Sequence, residues 1–448
     1  MQKVLNRWLA VAVMAVASAA QANTYVVTKT VDTADGVCDD DCSLREAVQA
    51  ANLHHGGDTI ILPAGRYQLT IPDNGEDDAA TGDLDIKGRI TLLGAGIDAT
   101  IIDGHSVDRF GRNLDRVLEV AAGAEFKAYA LTITGNYNEG AILNKGTSRL
   151  TRVKFARGGY YYGIFNAGDL TVESGEFLNE SSYGVVSNAG VLHLRRSALR
   201  GWSLNNSGSA VVEQCLFTGT KRAITNSGVL ELSNSTVSGN KSYYYPYARD
   251  QDVVPRADAA GVVSNEVGGT ATLSFVTITE NIGGGLNNKG TLTLAGSLIA
   301  GNSTATVADD PSEGDPIGTD ENGDPVYFQP EIDFEFGDDC VNFSGSVTAR
   351  NSLLGGPDCH GPAAFHDAGG NIFHGEGPTS ALLFPLQLNG GSRETHKPRK
   401  GSVIVDAITP FSAPDACPAV DQRGVARPPN DDGRRGQYCD IGAYELAQ

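Results

Sequence analysis

The chain has 448 residues, a formal charge of −20, 55 glycines and charged residues at 20%. An acidic surface of that size argues against nucleic acid as a general partner. The glycine content and scarcity of aromatics suit a turn-rich β protein with an extended core.

Residues 1–22 read as a secretory signal peptide. Lys3 and Arg7 form the basic start, Trp8 to Ala19 the apolar middle, and Ala20-Gln21-Ala22 the cleavage site. Cleavage near Ala22 makes the protein secreted or extracellular, with a periplasmic location as the variant, and takes the charge from −20 to −22 by removing two cations. The apolar run is short for a membrane span and nothing later qualifies, so the protein is expected not to span a membrane. Residues 23–139 form an N-terminal cap and irregular first coils. Thr24 to Val31 is a first strand. Cys42 to Asn52 is a helix, with Ser43 and Glu46 as a capping box and Leu44, Ala47, Val48 and Ala51 on one face. A helix there plugs the open edge of the stacked coils. Strands are expected at Thr59–Leu62, Ile90–Leu93, Thr100–Ile102 and Leu131–Thr134, with an acidic loop, Asp73–Asp85, between two of them.

Residues 140–304 repeat about every twenty residues, a spacing that marks a solenoid. Each repeat carries Asn, one other residue, then Gly, as at Asn144–Gly146, Asn166–Gly168, Asn188–Gly190, Asn206–Gly208, Asn226–Gly228 and Asn288–Gly290; Asn265–Gly269 is a longer copy. Aligned on that Gly, apolar columns fall at Leu150, Val172, Leu194, Val212, Leu232, Leu273 and Leu294, and at Phe155, Phe177, Leu199, Phe217, Val237, Ile278 and Ile299. Alternation within each short run is the period of a strand. Three short strands per coil predict an all-β fold, a right-handed single-stranded parallel β-helix with an N-terminal helical cap and an irregular C-terminal cap. With coils ~4.8 Å apart, the Asn column becomes an amide ladder inside a turn. Insertions follow at residues 241–259, which hold four tyrosines, and at 305–344; within the latter, residues 305–340 contain twelve acids and no Lys or Arg. Residues 345–448 are the last coils and the C-terminal cap, the repeat being lost from about 379.

The run CSLREAVQAAN, then DTIILPAG, GEDDAATGDLDI and LTITG, resembles the secreted β-helix proteins named for their CSLREA motif. LQLNGGSRETHK, GSVIVDA, DQRGVARP and CDIGAYE resemble the choice-of-anchor Q domain that often closes them. The resemblance implies the fold and export; the family has no settled activity. Members often end in a surface anchor, and no sorting helix or translocator barrel follows CDIGAYE here, which gives the expectation of a released or periplasmic protein.

Seven cysteines fit an oxidising compartment. Cys38 with Cys42, Cys340 with Cys359, and Cys417 with Cys439 are the candidate disulfides. Cys215 is left over in an inward column with Val153, Gly175, Ser197, Ser235, Val276 and Ser297, which makes it a buried, inert thiol.

Two features in the same coils point outward. Tyr161, Tyr183 and Trp202 recur at the turn ending each coil, and Tyr244 follows from the insertion; stacked, they form a ladder of rings suited to sugars. The alternative is that these rings pack under neighbouring loops. Residues 141–222 carry ten Lys or Arg against five acids, a local +5. Arg152 and Arg196 share a column two coils apart, at a turn, and their guanidinium groups suit carboxylates. The alternative there is charge pairing between coils, because Glu173, Arg195 and Glu213 alternate in one outward column.

The leading expectation is therefore a non-catalytic protein that binds a polysaccharide or cell-surface glycan through Tyr161, Tyr183, Trp202, Tyr244, Arg152 and Arg196. The alternative is a calcium-dependent lyase acting on an acidic polysaccharide, with Arg152 or Arg196 as the base. A structural surface protein that only self-associates is the third. Asp320, Asn322 and Asp324 offer alternating oxygens for a weak calcium site, although the loop departs from the EF-hand spacing. Asp35, Asp39, Asp40 and Asp41 are a second cluster, and His360, His366 and His374 match no common zinc spacing.

Overall fold

The computed structural model describes residues 21–72, 77–104, 116–135, 140–156, 163–179, 184–242, 261–307, 318–319, 325–326, 332–336, 339–356, 359, 361–375, 377–408, 417–427 and 438–447. Residues 1–20 of the expected signal peptide lie outside them, as do Tyr161, Tyr183, Tyr244, Asp320, Asn322 and Asp324. No helix among the described residues is long and apolar enough to cross a membrane.

The chain forms a right-handed parallel β-helix. One regular coil consists of the strands Gly163–Asn166, Asp169–Glu173 and Glu176–Leu178. The first strands of successive coils stack into a ten-stranded parallel sheet running from Leu84–Ile86 to Cys340–Asn342. The second and third stack into one larger sheet, in register: Leu150, Val172, Leu194 and Val212 lie on one another, as do Phe155, Phe177, Leu199 and Phe217. Both columns are buried.

The predicted amide ladder runs unbroken through eight residues. Each Asn Nδ2 donates to the next Oδ1, from Asn144 through 166, 188, 206, 226, 265 and 288 to Asn342, at 2.6 to 2.9 Å. The glycine beside it is required by crowding. A Cβ on Gly168, Gly190, Gly208 or Gly228 would stand 2.0 to 2.2 Å from the preceding coil's glycine carbonyl. A second ladder, which the Asn-x-Gly period does not announce, links Asn240, Asn281 and Asn302 to Asp339.

Between the second and third strands the chain turns within a single left-handed residue. Ala130, Arg152, Ser174, Arg196, Gln214, Asn234 and Phe275 occupy this corner with φ between 45 and 56°. Such a conformation is unfavourable for residues with a Cβ. Stacking holds it: Ser174 N, Arg196 N and Gln214 N each donate to the next coil's carbonyl at 2.9 to 3.1 Å. Just inside the corner, Ser197 Oγ donates to Arg195 O at 2.8 Å and accepts from Gly175 N at 2.9 Å. Ser235 repeats the pattern one coil after Cys215. Cys215 is buried, as expected, and forms no disulfide, and burial pushes its thiol pKa up to about 12. The three expected disulfides are formed.

The helix Leu44–Leu53 carries the predicted capping box and buries Leu44, Ala47, Val48 and Ala51 in the core of the first coils. Its Asn52 closes the end of the ten-stranded sheet, giving Nδ2 to Asp85 O and taking Lys87 N, at 2.7 and 2.8 Å. Arg45, with no exposed surface, pairs with Asp32 at 2.8 Å and donates to the carbonyls of Ala79, Thr81, Gly82 and Asp83. One buried guanidinium thus shapes the end of the acidic loop.

The C-terminal segment does more than close the far end: it also lies back along the side of the β-helix. Leu382, Leu383, Ile404, Ile408 and Ile441 form a second core with Phe275, Leu298, Ala300 and Leu353, which project outward from the helix. Polar contacts follow the corner column. Gln214 Nε2 donates to Asp421 O at 2.8 Å, Thr236 Oγ1 to Gln422 Oε1 at 2.5 Å, and Gly442 N to Gly296 O at 2.8 Å. Within the segment, Glu445 accepts from Arg427 at 2.8 Å and from Asp440 N at 3.0 Å. Burial, then the neighbouring Asp440 carboxylate, push the Glu445 pKa up to about 7 against the pull of Arg427. The folded pKa is above the unfolded one, so this group's contribution is full below the ordinary carboxylate pKa and is lost as pH rises toward 7. The thermal unfolding midpoint is expected to fall between about pH 5 and about pH 8, with a shallower slope in Glu445→Gln. An identical slope in both proteins would assign the dependence elsewhere.

Candidate active site

A groove of about 710 Å³ opens where the C-terminal segment leaves the corner column uncovered. Its floor is Ala130, Arg152 and Ser174, three successive corner residues. Gly96 to Ala99 form one wall, Glu176 projects from the adjoining strand, and Ser392 and Arg393 form the other wall. The site therefore combines residues up to about three hundred positions apart in the chain.

Charges here are largely matched. Lys154 pairs with Asp98 at 3.1 Å, Arg196 with Glu173 at 2.5 Å, and Arg200 with Glu394 at 2.5 Å and Glu176 at 3.7 Å. Arg152 and Arg393 lack a carboxylate partner among the described residues. Five cations thus face four carboxylates in a chain whose formal charge is −20. Arg152 is exposed and its left-handed backbone directs it outward from the corner.

The sequence candidates separate clearly. Arg152 lies in the groove, and Arg196 sits two corners further on, as the column predicts. Arg196 is committed to Glu173, and the expected pairing between coils does occur, with Glu173 met by Arg196 rather than by Arg195. Arg195 instead meets Glu213 at 3.5 Å. Trp202 must be removed from any binding edge. It is fully buried, 5.1 Å from the Phe177 ring and 6.0 Å from that of Phe155. The reason is parity: Trp202 is two residues before Leu204 on the same strand, so both face inward. Gly184, opposite it in the preceding coil, supplies the room. Tyr161, Tyr183 and Tyr244 fall outside the described residues, so the ladder of rings is left without its described member.

Asp98, Glu176, Ser392 and Arg393 were missed. Glu176 was readable, since it adjoins Phe177 and alternation turns it outward in the place Lys154 holds one coil earlier. Arg393 carried no periodic signal. Among the described residues, no three His, Cys, Asp or Glu side chains come together to suit a metal. The groove's lining carries only two acids, Asp98 and Glu176, and Asp98 is paired with Lys154, so the described residues do not fit a calcium site.

No family model matches the chain. It is 31% identical over 154 residues to mannuronan C5-epimerase AlgE1 of Azotobacter vinelandii, which is 34% of this chain and 10% of that protein. Alginate lyase 7 of the same organism is 35% identical over 105 residues, 23% of this chain and 11% of that one. The chain therefore spans about a tenth of the length of these curated relatives. Among solved structures, pectate lyase Pel9A overlays with a TM-score of 0.36 at 14% identity, covering 95% of this chain and 97% of that one. The A-module of AlgE4 from A. vinelandii gives 0.35 at 17%, covering 79% and 96%. At such scores the overlays add nothing to a fold already evident from its strand pairing.

Proposed function

We propose that this β-helix is a carbohydrate-active enzyme that takes an acidic polysaccharide, a polyuronate, in the corner groove and acts as a lyase. The observation that carries the reading is the Arg152 guanidinium on the groove floor, without a carboxylate partner among the described residues, with Glu176 beside it on the adjoining strand. The names of the partial relatives, epimerases and a lyase of uronate polymers, favour this over the non-catalytic binder, as does the burial of Trp202.

The chemistry follows from the residue types. A proton on the carbon next to a carboxylate leaves more readily when a guanidinium neutralises the charge that develops. Arginine keeps its proton in water, so Arg152 suits carboxylate recognition rather than the role of base. Glu176 and Asp98 are the carboxylates lining the groove. Asp98 sits on an exposed loop, whereas Glu176 is held on a strand with its side chain about one-third exposed. Glu176 is therefore assigned as proton acceptor. The electron pair left on that carbon forms a double bond to its neighbour as the neighbour's bond to the glycosidic oxygen breaks, and the departing oxygen takes a proton from the newly protonated Glu176 or from water, leaving an unsaturated sugar. An epimerase shares the first step and returns a proton to the opposite face.

The test is ultraviolet absorbance during incubation of the mature protein with polymers of galacturonate, mannuronate and guluronate, with proton NMR on the same samples. Each is run with calcium and again with chelator, so that a cation held by residues 320–324 registers separately. An absorbance rise establishes the lyase, and inverted sugar signals without it establish the epimerase. Flat traces in both across the panel sink the enzyme.

A further inference from the structure

We propose that Arg393 is a second carboxylate-recognition residue of the groove, delivered by the C-terminal segment, so that this segment completes the substrate site as well as covering the helix. The inference rests on the reading of the groove as a polyuronate site and names the residue that helps select its charge.

Three observations carry it. Arg393 is 6% exposed, yet no carboxylate among the described residues pairs with it. Its two terminal nitrogens donate to neutral oxygens, Ser392 Oγ and the Arg196 carbonyl, and its Nε has no hydrogen-bond partner. It nevertheless lines the same groove as Arg152. A buried cation without a counter-charge is costly, and removing its solvation must be offset elsewhere. Of the nearby carboxylates, Glu394 pairs with Arg200 at 2.5 Å and Glu176 lies 3.7 Å from the same arginine, and neither forms an ion pair with Arg393. Burial lowers the Arg393 pKa, which Glu176 offsets only through its field. A carboxylate entering the groove supplies the missing charge, and the planar guanidinium favours that shape over a neutral ester.

The bond to the Arg196 carbonyl also anchors the segment, so the test must separate recognition from docking. Galacturonate and mannuronate trimers, and their methyl esters, are titrated calorimetrically into the wild-type protein, Arg393→Gln and Gln422→Ala. Glutamine keeps an amide donor toward Arg196. Gln422→Ala removes a docking contact of the same segment, the hydrogen bond from Thr236, without touching a guanidinium. Arg393→Gln is expected to weaken the acid trimer about tenfold or more, leave the ester within about twofold, and flatten the salt dependence. Gln422→Ala is expected to leave the preference for acid over ester unchanged. Equal binding of the acid trimer by wild type and Arg393→Gln overturns the inference alone. An equal loss for acid and ester, or the same loss in Gln422→Ala, overturns it in favour of a docking role. A wild-type protein that binds neither acid trimer overturns the polyuronate groove itself, and this inference with it.

Discussion

Glutamine in place of Glu176 is expected to lower turnover on a polyuronate by roughly a hundred- to ten-thousand-fold, with KM close to that of the wild type. The substitution keeps the size and shape of the side chain while removing its capacity to take a proton. Glu176 meets Arg200 only at 3.7 Å, and Arg200 retains its 2.5 Å pair with Glu394, so the strand should keep its place. The thermal midpoint is the control for that. Arg152→Gln is expected to behave differently, raising KM as well as lowering kcat, because a guanidinium on the carboxylate acts in the bound state and in the transition state. Steady-state kinetics on the two variants separate the roles. Full activity in Glu176→Gln would return the base to another side chain. A loss confined to kcat in Arg152→Gln would make that arginine more than a recognition group.

Asn206→Ala is expected to destabilise the β-helix by about 3 kcal/mol or more, since each buried polar group left without a partner costs ~1–3 kcal/mol. Asn206 gives Nδ2 to Asn226 Oδ1 at 2.7 Å and to Val229 O at 2.9 Å, and receives Asn188 Nδ2 at 2.7 Å. Alanine leaves Asn226 Oδ1 and the carbonyl facing it unanswered, with water excluded. Asn205, its neighbour on the same strand, is exposed, and Asn205→Ala should fall within about 0.5 kcal/mol of the wild type. Denaturant midpoints for the pair measure the difference. Similar values for the two would mean that the ladder is a consequence of stacking and adds little to it.

The legibility of this chain depends on how far apart the interacting residues are in sequence. The Asn, Leu and Phe columns were visible because each residue meets its equivalent one coil away. Glu176 was equally visible by that rule, but its column mixes Glu with Lys and Ala and so stands out less than the apolar ones. Trp202 was misplaced by reading the residue as part of a turn, when counting back from Leu204 puts it inside. Arg45 looked like one member of a helix, and its role became plain only with the four carbonyls it gathers.

What the sequence determined by itself is the β-helix: alternation settles which side chains face inward, and the Asn-x-Gly period settles the register. The helical plug, the buried Cys215 and the disulfide pairs follow from equally local patterns. Where the C-terminal segment lies was decided only by the tertiary structure, and the groove and Arg393 with it. Gln214 meets Asp421 across 207 residues, and Arg393 reaches Arg196 across 197. No period links such positions. They are brought together because Leu298 and Leu353 turn apolar surface outward and the segment is the part of the chain that covers it.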